Sequence, residues 1–234
     1  MITESLTYLR ESDGWVKTVV IGGLLTLLGF LVVPTVLVAG FLVRILRATM
    51  HGDDTPPRFD DWGSLAGDGL RAFAIALVYG LIPALLIAVT AGLAAAAAGP
   101  GPRTGLVVGA VTFVGGLLAL VFGLLAAYIV PAAVANYAEQ GSIRSGFAVG
   151  DLRPVLTSGT YATAWVMGFA VILGAAVVTA LLNVVPLLGT VAGAFVSFYA
   201  ITAAYYIVGH AWGDLRGLEL HDDEGERSAE RPVV

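Results

Sequence analysis

Long apolar runs without charge alternate with short polar intervals along the chain, and this alternation predicts the architecture. Five runs are long enough to cross roughly 30 Å of bilayer hydrocarbon at about 1.5 Å per helical residue. They cover residues 18–43, 72–98, 106–137, 161–182 and 187–212. Pro34, Pro83 and Pro131 fall inside the first three and are read as kinks, which membrane helices tolerate when neighbours satisfy the freed carbonyl. The Pro and Gly pairs of GPGPRTG, residues 99–105, end the second run, and Asn183 with Pro186 marks a tight turn between the fourth and fifth. The third run exceeds one bilayer and is expected to bend, leaving the membrane around Asn136 and Glu139. Ahead of the first run, residues 3–13 suit a short helix with Leu6, Tyr8 and Leu9 together, ended by Asp13 and Gly14 and followed by Trp15 as an interfacial anchor.

Two polar intervals separate these runs. The first, residues 44–71, lies in the stretch Leu42–Phe73, which holds four of the twelve Lys and Arg and five of the seventeen Asp and Glu. The second covers residues 139–160. Both are expected as amphipathic interfacial arms, and residues 213–234 as a charged flexible tail. The fold class is therefore all-α: a polytopic helical membrane protein with about five transmembrane helices, interfacial helices, and one membrane domain over residues 1–212.

The two intervals resemble each other. FDDWGSLAGDGLRAFAIALVYG, starting at Phe59, lies over FAVGDLRPVLTSGTYATAWVMG, starting at Phe147, which pairs Phe73 with Tyr161 and Gly80 with Gly168. Identity is low and apolar helices resemble one another by chance, so an internal duplication and a chance likeness both fit. A duplication would relate two units of one orientation about an axis along the membrane normal.

Composition reinforces the membrane assignment. Hydrophobic residues make up 58% and charged residues 12%, against roughly 45–50% and 25% in soluble domains, and mean hydropathy is +0.88. A net charge of −5 argues against nucleic acid as a partner. With no cysteine, disulfides and thiolate metal sites are excluded. The N-terminus lacks the basic, apolar and small-residue zones of a signal peptide, so the first run is expected to be retained. Arg44, Arg47, Arg58, Arg71, Arg144, Arg153 and Arg216 lie on the side of the polar intervals, against Arg10, Lys17 and Arg103 on the other. The positive-inside rule then predicts a cell-membrane protein with an outer N-terminus and cytoplasmic arms and C-terminus. Trp15, Trp62, Trp165 and Trp212 fall near run ends or in the arm, as an aromatic belt would.

The run from Ile21 to Phe73 has a recognisable order: an apolar span with a proline, GFLVRILR, an acidic loop with prolines, PRFDDWG, then GLRAF. It resembles the domain of unknown function 4013 family, uncharacterised prokaryotic membrane proteins common in archaea. The likeness is strong over residues 13–83, weaker around 131–160 and absent from the tail. It implies a multi-helix membrane fold and carries no activity, substrate or catalytic residue.

The candidate chemistry is sparse. No nucleotide-binding or zinc motif is present, and His51, His210 and His221 are too scattered for a metal set. Asp60 and Asp61, beside Trp62, read as helix caps rather than an acid–base couple, because adjacent helical residues do not face each other. Asp68 and Arg71 are spaced as a surface pair. Arg44 and Arg47, three apart, suit phosphate headgroups or the negative end of a helix dipole. With Phe59 these residues form the candidate docking surface, while Asn183 and His210 are the candidate intramembrane polar groups. Gly105 with Gly109, and Gly189 with Gly193, have the spacing that brings helices close. Buried charges usually mark ion paths and proton relays, and the span centres carry none. The expected function is a non-enzymatic membrane scaffold or anchor with no cofactor. Its partners would be the lipid bilayer, another membrane protein or a second copy. The alternative is a transporter or permease component for a small neutral or apolar solute.

Overall fold

A computed structural model describes residues 2–11, 14–53, 55–99 and 104–218. Eight α-helices follow one another: α1 (Ile2–Thr7), α2 (Trp15–Leu27), α3 (Val32–Thr49), α4 (Trp62–Ala97), α5 (Thr104–Gln140), α6 (Val149–Leu156), α7 (Gly159–Leu182) and α8 (Pro186–Arg216). There is no strand among the described residues. Five helices are long and apolar enough to cross a membrane: α3, α4, α5, α7 and α8.

The chain forms two compact bodies. The first comprises Met1–Phe73 and Ala132–Val234, and the second Ala74–Pro131.

The first body is built around α8. Its main partner is α7, and α1, α2 and α3 pack on it as well. The expected first span, residues 18–43, is not one helix. The chain leaves α2 at Leu27 and restarts at Val32. At 13 residues, α2 is about 20 Å long, short of the length a lone span needs, and is the short limb of a hairpin with α3. Pro34 does not kink a continuous helix; it sits in the first turn of α3, where its missing N–H costs nothing. The Thr35 hydroxyl donates to the carbonyls of Gly29 and Leu31 at 2.9 and 3.0 Å, closing the turn over residues 28–31.

The resulting hairpin lies along α8. A side chain at Gly22 or Gly23 would run into the rings of Phe198 and Phe195. On the returning limb Phe41 contacts Phe198 with centroids 5.6 Å apart, and Thr49 and Met50 reach Gly209 and Gly213. The N-terminal segment then packs on the C-terminal half of α8, with Tyr8 fully buried against Tyr206 at 4.6 Å and the Tyr199 hydroxyl bonded to the Leu6 carbonyl. The expected short N-terminal helix is present as α1, and of its segment Ser5, Tyr8 and Leu9 are buried while Ile2 and Leu6 stay exposed. The expectation that residues 1–17 lie opposite the polar intervals is corrected too, since the hairpin returns the chain to the end it started from.

The polar intervals are not arms lying free at an interface. In the first, α3 continues to Thr49 and α4 begins at Trp62, leaving only residues 50–61 outside helices. Phe59 in that segment stacks on Phe41 at 4.3 Å. In the second, α5 runs to Gln140 and the chain folds back on it. Buried Asn136 donates to the Ser145 carbonyl at 2.8 Å, and the Ser145 hydroxyl returns a bond to the Asn136 carbonyl at 3.1 Å. Helix α6 follows, and Ser158 starts α7 as its N-cap, its hydroxyl accepting from the Tyr161 amide at 3.1 Å. Ser158→Ala is expected to lower stability by about 1 kcal/mol, measurable as a shifted midpoint in detergent-micelle denaturation.

Other boundaries also move. Helix α8 extends to Arg216 and closes on Gly217, whose φ of 67° suits glycine. The charged tail expected from residue 213 lies, from 219 on, outside the described residues. Of the two glycine pairs, Gly189 and Gly193 do meet neighbours, Leu182 with Asn183 and Thr179, whereas Gly105 and Gly109 have open space beside them.

The second body is an antiparallel pair made from the distal part of α4 and the proximal part of α5. Its outward side chains are overwhelmingly large and apolar, among them Leu81, Leu85, Ile87, Phe113, Leu117 and Leu120. Thr90 abuts Gly115 where the two helices approach.

Candidate functional site

The ionisable groups of the first body converge on its helix crossings. Asp68, on the first turns of α4, sits between three helices. It pairs with the Arg47 guanidinium of α3, which donates to both carboxylate oxygens. It also accepts from the Tyr137 hydroxyl of α5 at 2.7 Å. Arg71 approaches Asp68 at 3.5 Å, so the expected pair exists, but Asp68 is buried, with its side chain 10% exposed. Arg47 also donates from Nε to the Ala138 carbonyl at 3.1 Å. One arginine and one carboxylate thus tie α3, α4 and α5 together, with bidentate geometry that a lysine would not reproduce.

A second tie joins α5 to α8. The Glu139 carboxylate accepts from the Trp212 indole at 2.7 Å and from Arg216 Nη2 at 3.0 Å. Trp212 is fully buried, so it is a structural residue and not a lipid-facing anchor. Trp62 and Trp15 do remain exposed, and Trp165 stacks on Phe169 at 5.1 Å.

A third tie fixes the loop before α4. Arg44 Nη1 reaches the Asp60 carboxylate at 2.7 Å and the Arg58 carbonyl at 3.0 Å, while Nη2 reaches the Asp61 carbonyl at 3.1 Å. Asp61, with φ of 40°, precedes α4, and its side chain accepts from the Ser64 amide at 3.4 Å. Asp61 thus takes the expected capping role, while the Asp60 carboxylate is paired with Arg44.

The docking candidates therefore divide. Arg44, Arg47, Phe59 and Asp68 are engaged or buried inside the fold, whereas Asp60, Asp61, Trp62 and Arg71 keep exposed surface. The two intramembrane candidates are far apart in role. Asn183 caps the end of α7, donating to the Thr179 carbonyl at 2.8 Å and accepting from Thr190 at 3.5 Å. His210 is half-buried on α8, its ring 4.3 Å from that of Tyr206. Asn183 bonds to two threonines, whereas His210 stands close enough to the Glu4 carboxylate of α1 to act on its charge.

Sequence reasoning missed Tyr137, Glu139, Trp212 and Arg216 as members of these ties. The only local signal was the polar cluster Asn136, Tyr137 and Glu139 at the end of the third run.

The chain matches the family of proteins of unknown function DUF4013 over residues 24–184. It belongs to that family. The matched DUF4013 region takes in the α3–α4 tie and the whole of the second body, and it reaches the turn after α7. No curated protein and no solved structure matches the chain.

Proposed function

We propose that this DUF4013 protein is a non-enzymatic module of the cell membrane that organises or anchors a partner. One observation carries the reading. The charged groups that might have supplied chemistry, Asp60, Asp68 and Glu139, are each held by arginine in a contact between elements of the fold. Such groups serve packing geometry, and they leave a surface that is apolar where helices meet lipid. On this reading the ties lie on the cytoplasmic side, where the positive-inside rule places arginine and lysine.

The alternative is a transporter or permease component for an apolar solute. It draws on an open groove of about 430 Å³ in the second body, lined by Leu86, Val89, Thr90, Leu93, Val114 and Leu118. The Asn183 side chain, a would-be lining group, belongs to the turn after α7 and does not favour it. Solute flux into proteoliposomes separates the two. The scaffold reading expects permeability equal to that of empty vesicles for a panel of small neutral and apolar solutes. Saturable flux of any one of them would overturn it.

A further inference from the structure

A cleft of about 400 Å³ opens in the first body between the start of α2 and the loop before α4. Gly14, Lys17, Thr18 and Ile21 line one wall, and Arg58, Phe59 and Asp60 the other. Its two cations take no part in the ties described above. Arg44, Arg47, Arg71 and Arg216 all pair with carboxylates. Lys17 and Arg58 are exposed, and among the described residues neither side chain has an ion-pair or hydrogen-bond partner. Asp60 also lines the cleft, but its carboxylate is held by Arg44, so the balance over the described lining residues is positive.

The loop is not loosely placed. Arg44 holds the Arg58 and Asp61 carbonyls, and Phe59 is anchored on Phe41 and Phe198. Arg58 is thereby presented on a fixed backbone opposite Lys17. The first turn of α2 has no side-chain cap, which leaves the positive end of its dipole at the same wall.

The rim identifies the kind of anion. Trp15, Val16 and Val20 are exposed on the helix that carries Lys17, and Trp62 is exposed beside Phe59 with ring centroids 6.0 Å apart. A free phosphate has no use for an apolar rim, whereas a phospholipid places acyl chains there and its charge in the cleft. We propose that this cleft binds the phosphate of an anionic phospholipid headgroup, with Lys17 and Arg58 as its charged partners. The site names a partner for the scaffold reading and in that sense rests on it. The two fail separately, because solute flux would remove the scaffold and leave lipid retention untouched.

The test is native mass spectrometry of the full chain in mild detergent, titrated with phosphatidylglycerol, phosphatidylcholine or inorganic phosphate. The wild-type protein is expected to retain phosphatidylglycerol roughly tenfold more tightly than phosphatidylcholine, as two interfacial cations would provide. Lys17→Gln with Arg58→Gln is expected to abolish that preference, while Lys17→Arg with Arg58→Lys keeps it. Both side chains are exposed and unpaired among the described residues, so melting by circular dichroism should not change. Equal retention of the two lipids by the wild-type protein, or an undiminished preference in the double glutamine variant, would overturn the proposal. Displacement of the lipid by millimolar inorganic phosphate would assign the cleft to a soluble anion and overturn the lipid assignment.

Discussion

Replacing Asp68 by alanine is expected to cost about 3 kcal/mol of stability, the scale seen when one partner of a buried ion pair is removed. The loss leaves the buried Tyr137 hydroxyl without its acceptor and the partly exposed Arg47 guanidinium without its carboxylate, and unsatisfied buried polar groups are expensive. Asp68→Asn should cost less, because its remaining oxygen can still accept from Tyr137. Arg71→Ala is the control. Its side chain is 53% exposed and stands 3.5 Å from Asp68, so it should cost under about 1 kcal/mol, as exposed pairs do. Denaturation of the three variants in mixed micelles would rank them. Equal losses for Asp68→Ala and Arg71→Ala would contradict the assignment of the tie to Arg47 and Tyr137.

Gly69→Ala is expected to be of similar size for a different reason. A Cβ at Gly69 would lie 1.9 Å from the Val36 carbonyl oxygen, and one at Gly40 would lie 2.0 Å from that of Leu65. Both obstacles are backbone, so no side-chain rotation relieves them, and α3 and α4 must move apart. Overpacking of this kind costs about 1–3 kcal/mol or more, and the separation would also loosen the Arg47–Asp68 contact. Gly80→Ala in the second body has nothing within 4 Å, and there the helix-propensity gain of up to about 1 kcal/mol should dominate. Opposite signs for the two alanine substitutions, read from unfolding midpoints, are the expected result.

The helical membrane class was legible because it needs only the length and polarity of runs, and α4, α5, α7 and α8 carry that signal plainly. The α2–α3 reversal was not. Residues 28–31 are Leu, Gly, Phe and Leu, as apolar as the helices around them, and hydropathy does not distinguish a turn within lipid-compatible sequence from a continuous span. Pro34 offered two outcomes, a kink or a first-turn position, and only packing against α8 selects between them. The close approach of Gly40 and Gly69 joins two helices, so no spacing rule within one helix announces it, while the spacing at Gly105 and Gly109 pointed to a contact that the fold does not make.

The candidate site was partly legible. Capping by Asp61 and the Asp68–Arg71 pair follow from local spacing. Arg44 and Arg47 looked like surface groups because a helix-end arginine has the same local pattern whether it meets lipid or a carboxylate. The partners Asp68, Tyr137 and Ala138 are brought to Arg47 by tertiary folding alone, and Glu139 meets Arg216 across most of the second half of the chain.

The α2–α3 hairpin bears on biosynthesis. Because Tyr8 meets Tyr206 on the C-terminal half of α8, the N-terminal segment and the last turns of α8 are neighbours. The α2–α3 and α7–α8 connections carry no charged side chain at residues 28–31 and 183–185. A nascent chain inserting these helices as pairs would translocate only those uncharged turns. The arginine ties would then close on the side from which the helix pairs were inserted.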